Sequence, residues 1–148
     1  MKKNARYINL AFLILVCISN LVAAGGQAKK CSVSEAREVE LIAGSLSSWN
    51  ELYAVFQKYG HCDDGAIGEG FSESISLLIA EQWEMIDQLI VLAKEDPEFQ
   101  KFVIDHIDET APPERLAQIK RNAVSKCSRS REYICMNILS APAIKELD

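Results

Sequence analysis

Apolar residues recur every three or four positions along most of this chain, the spacing of one face of an α-helix. The first such stripe runs from residue 33 to residue 59 and includes Val39, Leu46, Trp49 and Phe56. Further stripes follow in residues 67–79, 83–92, 99–107, 116–123 and 134–139. Sustained alternation of apolar and polar residues, which would indicate strands, does not occur. The pattern predicts an all-α domain: a compact bundle or helical-hairpin array of five to seven helices.

Local signals mark where several of these helices begin. Ser32 and Glu35 have the spacing of a capping box, and Asp96 followed by a proline is typical of a first helical turn. A second proline-containing break, at residues 111–114, starts another helix. The sequence thus predicts short turns between helices.

The first apolar stripe passes through Gly44 and three serines, which could interrupt the helix. Ser48 with Glu51 would form a capping box for a separate second helix. Because the stripe stays in phase through Gly44, the sequence favours one bent helix over residues 33–59. At the usual rise per residue, such a helix spans roughly 40 Å.

Four of the five cysteines lie beyond the N-terminal apolar run, namely Cys31, Cys62, Cys127 and Cys135. An even number of cysteines in a small exported domain predicts two disulfides, with three pairings open. A continuous first helix would hold Cys31 and Cys62 too far apart to bond. It therefore favours the pairs Cys62–Cys127 and Cys31–Cys135.

Residues 1–24 have the pattern of a cleaved signal peptide. Basic residues precede a nearly unbroken apolar run from residue 8 to residue 18, and small residues suit cleavage before Gly25. The alternative is an uncleaved membrane anchor. The sequence predicts a single domain over residues 25–148 that is periplasmic or secreted, with no stable membrane insertion after cleavage.

The net charge of the chain disfavours some classes of binding partner. The net charge of −5 becomes −8 on cleavage, because the first 24 residues carry three basic and no acidic side chains. An acidic chain disfavours nucleic acid and anionic membranes. Residues 63–114 hold 14 acidic side chains, whereas residues 115–131 hold six basic and no acidic ones. Either the two regions pack as neighbours and partly neutralise each other, or the acidic region faces a partner.

Residues 59–70 combine a histidine, a cysteine, paired carboxylates and several glycines. The simplest interpretation is a helix–turn–helix junction, with Gly60 in a positive-φ conformation after the first helix. Asp63 or Asp64 then caps the next helix. Glycines at 65, 68 and 70 would weaken that helix, so we expect another backbone or a ligand to approach closely there.

Metal binding by this junction is disfavoured. His61, Cys62, Asp63 and Asp64 all carry ligand chemistry, but four adjacent residues cannot all face one ion. A cysteine in an oxidising compartment is also more often bonded to another cysteine. The sequence therefore predicts neither a metal nor a cofactor.

Two other functions stay open. Glu69 and Glu73 lie one turn apart and share a helix face with Ser72 and Ser76, and we expect this face to be solvated. In a small hydrolase, either carboxylate could act together with His61 as a general acid or base. An envelope protein that carries an apolar ligand would instead need a cavity lined by Phe71, Trp83 and Ile86.

The stretch GHCDDGAIGEGFSES, with the apolar run after it and the Asp-Pro helix start, resembles a group of small exported bacterial helical proteins. That group is uncharacterised and implies no activity. In general form the chain is also similar to the disulfide-bonded immunity proteins that bacteria keep in the periplasm.

No nucleophile elbow, zinc-protease motif, phosphate loop or dinucleotide motif occurs, so a non-enzymatic protein is favoured, with no catalytic residue. The sequence thus predicts an inhibitor- or immunity-like protein that binds another protein. Its candidate contact residues are Asp63, Asp64, Glu69 and Glu73. A dimer is expected if the apolar helix faces exceed what one core can cover.

Overall fold

The computed structural model describes residues 29–147, so the predicted signal peptide lies outside the described residues. Within this range the chain forms eight α-helices and no strand, which confirms the all-α prediction. The helices are α1 (Val33–Glu40), α2 (Trp49–Tyr59), α3 (Gly65–Glu81), α4 (Ile86–Glu95), α5 (Pro97–Asp105), α6 (Pro113–Ser125), α7 (Glu132–Ser140) and α8 (Pro142–Lys145). Short 3-10 turns join several of them.

The start signals work as predicted. At α1 the Ser32 side chain accepts from the backbone N–H of Glu35, whose carboxylate in turn accepts from the Ser32 N–H. The Asp96 carboxylate accepts from the first backbone N–H groups of α5. Such bonds satisfy donors that have no partner inside the helix.

The prediction of one helix over residues 33–59 is wrong. α1 ends at Glu40, a 3-10 turn follows, and Leu46 is extended with φ −72° and ψ 126°. Ser48 then caps α2 by accepting from the N–H of Glu51. The apolar stripe stays in phase because a 3-10 turn also repeats every three residues, so periodicity alone does not reveal the break.

This break corrects the disulfide pairing. The bonds are Cys31–Cys62 and Cys127–Cys135, with Cα–Cα distances of 4.9 and 6.4 Å. The pairs favoured from the sequence, Cys62–Cys127 and Cys31–Cys135, rested on the continuous helix and are wrong. Because α2 runs back beside α1, its end returns to the start of α1.

α3 is the central helix of the domain. It packs against the 3-10 turn of residues 43–45, against α6 and against α1. A Cβ added to Gly70 would lie 2.9 Å from the Cβ of Ala43 and 3.1 Å from the backbone N of Gly44. The expected close backbone approach is therefore found, and Gly70 permits it.

Three serines of α3 are buried, so the prediction of a solvated face through Ser72 and Ser76 is wrong. The Ser74 hydroxyl donates to the Ala43 carbonyl at 2.6 Å and accepts from the Leu46 N–H at 3.0 Å. Each of the three serine hydroxyls forms a hydrogen bond, either with a group far along the chain or with a carbonyl in the preceding turn. A polar face thus packs because its hydrogen bonds are made inside the protein.

α6 covers the end of α3. The buried Asn122 side chain donates to the carbonyls of Ile79 and Ala80 at 3.1 and 2.9 Å. These carbonyls belong to the last turn of α3, where intrahelical partners run out. Asn122 is thereby a cap supplied from another helix.

Candidate functional site

The junction between α2 and α3 is a 3-10 turn of residues Gly60–Cys62. Gly60 has a φ of −56°, so the expected positive φ at this position is wrong. Gly65 adopts it instead, with a φ of 52° at the first position of α3. Asp64 occupies the cap position of α3, but its side chain makes no capping hydrogen bond.

Asp63 contacts a buried histidine rather than the start of α3. Its Oδ1 atom lies 3.1 Å from Nε2 of His106, whose Nδ1 lies 2.8 Å from the Phe102 carbonyl oxygen. The pKa of His106 is raised: burial lowers it, but the hydrogen bonds to Asp63 and Phe102 and the charges of Asp63 and Asp108 outweigh burial. His106 is therefore a structural group that joins α5 to the α2–α3 junction.

Glu73 lies in an internal ion pair. Its carboxylate accepts from Nη1 of Arg115 at 2.6 Å, and the same nitrogen lies 3.0 Å from the Ser76 hydroxyl. Arg115 thus ties α6 to α3. Of the four predicted contact residues, Asp63, Asp64 and Glu69 are exposed, and two, Asp63 and Glu73, have partners within the domain.

Two members of the group expected for a hydrolase, His61 and Glu73, have other partners. The carboxylate beside His61 is Glu35 of α1, whose Oε1 lies 3.4 Å from the His61 Nε2. Glu73 faces Arg115 instead. The Glu35 contact was missed from the sequence, although its capping box adjoins Cys31 and therefore lies beside the disulfide.

The three residues expected around an apolar cavity belong to the core. Phe71, Trp83 and Ile86 are all buried. The Phe71 ring packs against Phe102 and His106, with centroid distances of 5.1 and 5.9 Å. Their side chains contribute to packing of the domain.

Exposed apolar side chains lie beside open clefts on α6 and α7. Val124 and Met136 are 65% and 63% exposed. They border an open cleft of about 500 Å³ that also includes Cys127, Arg129, Glu132 and Leu139. A second cleft, of about 580 Å³, is also lined by Val124 and extends to Arg121 and Leu147. We call Val124, Met136, Arg121, Arg129 and these two clefts the α6–α7 surface.

The basic residues of segment 115–131, which supplies part of this surface, differ in whether they have a carboxylate partner. Arg115, Lys126 and Arg131 pair with Glu73, Glu84 and Asp87 at 2.6, 3.9 and 2.7 Å, so the predicted partial neutralisation by neighbouring acidic helices is confirmed. Arg121 donates to Gln118 only, within α6. In the described part of the chain, Arg121 and Arg129 have no carboxylate partner.

Together the fold and these features define a class of protein: a small all-helical domain with two disulfides, which are typical of an oxidising extracellular environment. No family model matches the chain, and neither curated proteins nor solved structures show significant similarity to it. None of the helices between residues 29 and 147 combines the length and apolar character needed to cross a bilayer.

Proposed function

We propose that this chain is an exported, non-enzymatic periplasmic protein that binds another protein, in the manner of an inhibitor or immunity protein. The observation that carries the proposal is the α6–α7 surface, where Val124 and Met136 project beside two open clefts. Exposed apolar side chains next to a concave surface are typical of protein-binding sites. Methionine also adapts its shape to different partners.

The charges indicate what kind of partner fits. Arg121 and Arg129 flank the apolar side chains and have no carboxylate partner among the described residues. Arginine pairs well with carboxylates at interfaces. The partner segment is therefore an amphipathic helix with an apolar face for the clefts and acidic residues for the two arginines.

The proposed contact lies on α6 and α7, not on the acidic residues predicted from the sequence. Asp63 already pairs with His106, and Glu73 already pairs with Arg115. Both carboxylates are therefore less available to an external partner. Asp64 and Glu69 stay exposed and provide the alternative contact to be tested. The N-terminal segment supports export, and sequencing the exported protein should give Gly25 as its first residue.

The test is capture of partners by the exported protein in wild-type form and as a Val124→Glu/Met136→Glu variant. Host envelope extract and the medium of competing bacteria serve as sources, because the effector for an immunity protein comes from a rival cell. Leu41→Glu is the matched control, since Leu41 is 84% exposed but lies after α1. We expect a partner that wild type and the control retain and the double variant loses. Added salt should weaken its binding.

Other outcomes would overturn the proposed contact. A partner lost with Asp64→Asn/Glu69→Gln but kept by the double variant would place the contact on the acidic residues. Sedimentation showing a dimer that Val124→Glu disrupts would make this surface a contact between two copies. If no captured protein depends on either the α6–α7 surface or the acidic residues Asp64 and Glu69, the binding proposal is wrong.

A further inference from the structure

Side-chain atoms that can coordinate zinc lie close together where the Cys31–Cys62 disulfide joins α1 to the α2–α3 junction. One ligand atom each from Glu35, His61 and Cys62 lies within 4.8 Å of the other two. Cys31 Sγ is bonded to Cys62 Sγ and so belongs to the same cluster. The four residues offer two sulfurs, one imidazole nitrogen and one carboxylate oxygen.

The imidazole is positioned for a ligand. Its Nε2 atom is buried and makes no hydrogen bond, although Glu35 Oε1 lies 3.4 Å away. A buried polar atom without a partner is uncommon in proteins and calls for an explanation. A metal ion at this position would supply the missing partner.

The carboxylate is already oriented. Its Oε2 atom accepts from the N–H and the hydroxyl of Ser32, at 3.0 and 2.7 Å. Oε1 is left facing His61, and a cation already lies against it: Nζ of the exposed Lys29, at 2.8 Å. Hydrogen bonds of this kind fix the direction of a metal-binding carboxylate, and an exposed lysine can move away.

We propose that reduction of Cys31–Cys62 converts this cluster into a zinc site. A dithiol reductant supplies two electrons and two protons, the S–S bond breaks to give two thiols, and the reductant becomes a disulfide. Zn²⁺ then displaces the two thiol protons. The ligands are Sγ of Cys31 and Cys62, Nε2 of His61 and Oε1 of Glu35, a mixed set that zinc favours.

The metal would take over the role of the disulfide. In the oxidised protein only His61 and Glu35 can donate to an ion, so binding there is weak. In the reduced protein the ion would link the start of α1 to the end of α2, which the disulfide otherwise does. Because the ligands come together only in the folded chain, zinc binding would stabilise the reduced domain.

The experiment uses the exported protein carrying Cys127→Ser/Cys135→Ser, so that Cys31–Cys62 is its only described disulfide. One sample stays oxidised; the other is treated with a dithiol and desalted without oxygen. Zinc is titrated into both against a chromophoric chelator. We expect one zinc ion per reduced chain, held at least about 100-fold more tightly than by the oxidised chain, because oxidation removes two of four ligands. Cobalt in place of zinc should show a thiolate charge-transfer band.

Two ligand variants separate this site from thiols in an unfolded chain. In the reduced background, His61→Gln and Glu35→Gln should each weaken zinc binding at least about tenfold. Glu38→Gln, on the same helix but paired with Lys58, should leave it unchanged. Equal affinity in all three variants, equal affinity of oxidised and reduced protein, or no zinc bound after reduction would each overturn the proposal.

Discussion

The Nε2 atom of His106 lies 3.1 Å from Oδ1 of Asp63. This contact joins the end of α5 to the residue that follows the Gly60–Cys62 turn. His106 also contacts the Phe102 carbonyl oxygen, so its protonated ring can donate from both nitrogens. The buried imidazole thus links two segments that are 43 residues apart. Its charge state matters for the stability of the fold.

Stability should fall as the pH rises through the titration of His106. The folded-state pKa is raised above the ordinary 6.5, because the Asp63 and Phe102 hydrogen bonds and the Asp63 and Asp108 charges outweigh burial. A group with a raised folded pKa stabilises fully below its unfolded pKa and loses that contribution as the pH passes the folded pKa. The free energy of unfolding, measured with urea from about pH 5.5 to 8.5, should decline above about pH 6.5.

Asp63→Asn tests the cause of that pH dependence. Without the carboxylate, burial lowers the pKa of His106 with less opposition, so the decline should shrink or reverse. Asp64→Asn is the matched control, because Asp64 is exposed and makes no capping bond. A histidine titration followed by NMR should show the same shift. If Asp63→Asn keeps the wild-type pH profile, this ion pair is not its origin.

Local signals in the sequence predict much of the fold, because their partners are a few residues away. The capping pair Ser32 and Glu35 and the start at Asp96 depend on hydrogen bonds within one turn, and both are present. The break before Ser48, which the Ser48–Glu51 capping pair allows, is not the favoured interpretation, because a 3-10 turn keeps the apolar stripe in phase. That one error also led to the wrong disulfide pairs.

The site was harder to predict because its contacts are long-range. The residue types of Ser72 and Ser76 predict surface positions, but Asp108 and Arg115 contact them from 36 and 39 residues away. Glu35 and His61 are brought together only by the return of α2. The exposure of Val124 and Met136 likewise follows from what α6 and α7 leave uncovered. None of these features has a local sequence pattern.

Gly70→Ala should destabilise the domain by about 1–3 kcal/mol, as overpacked sites generally do. The added methyl group would lie 2.9 Å from the Ala43 Cβ and 3.1 Å from the Gly44 backbone N, so α3 must move away from the 3-10 turn. Gly44→Ala is the control from the other side of the contact, since its Cβ would be 3.7 Å from the Gly70 Cα. Urea unfolding should show a much smaller loss for the control. Equal losses would mean that the contact has room for a methyl group.

Arg115→Ala should cost about 1–3 kcal/mol, because it removes hydrogen bonds to Glu73 and to the buried Ser76. The arginine side chain is only 18% exposed, so water replaces these bonds poorly. Lys101→Ala is the comparison, because it removes an exposed ion pair with Asp105, worth about 0–1 kcal/mol. Both losses can be read from denaturant midpoints at constant m-value. A loss for Arg115→Ala no larger than that for Lys101→Ala would argue against a structural role for this bridge.

The two disulfides should differ in their contribution to stability. Cys31–Cys62 closes a sequence separation of 31 residues and Cys127–Cys135 one of 8, so the first restricts the unfolded chain more. Chain-entropy estimates give about 3.7 and 2.6 kcal/mol, a difference of about 1 kcal/mol. Cys62 and Cys135 are each 3% exposed, whereas Cys31 is exposed and Cys127 is partly buried. Paired Cys→Ser variants, compared by urea unfolding, should therefore rank by loop length. The opposite ranking would show that the short loop is held by native-state packing that its disulfide completes.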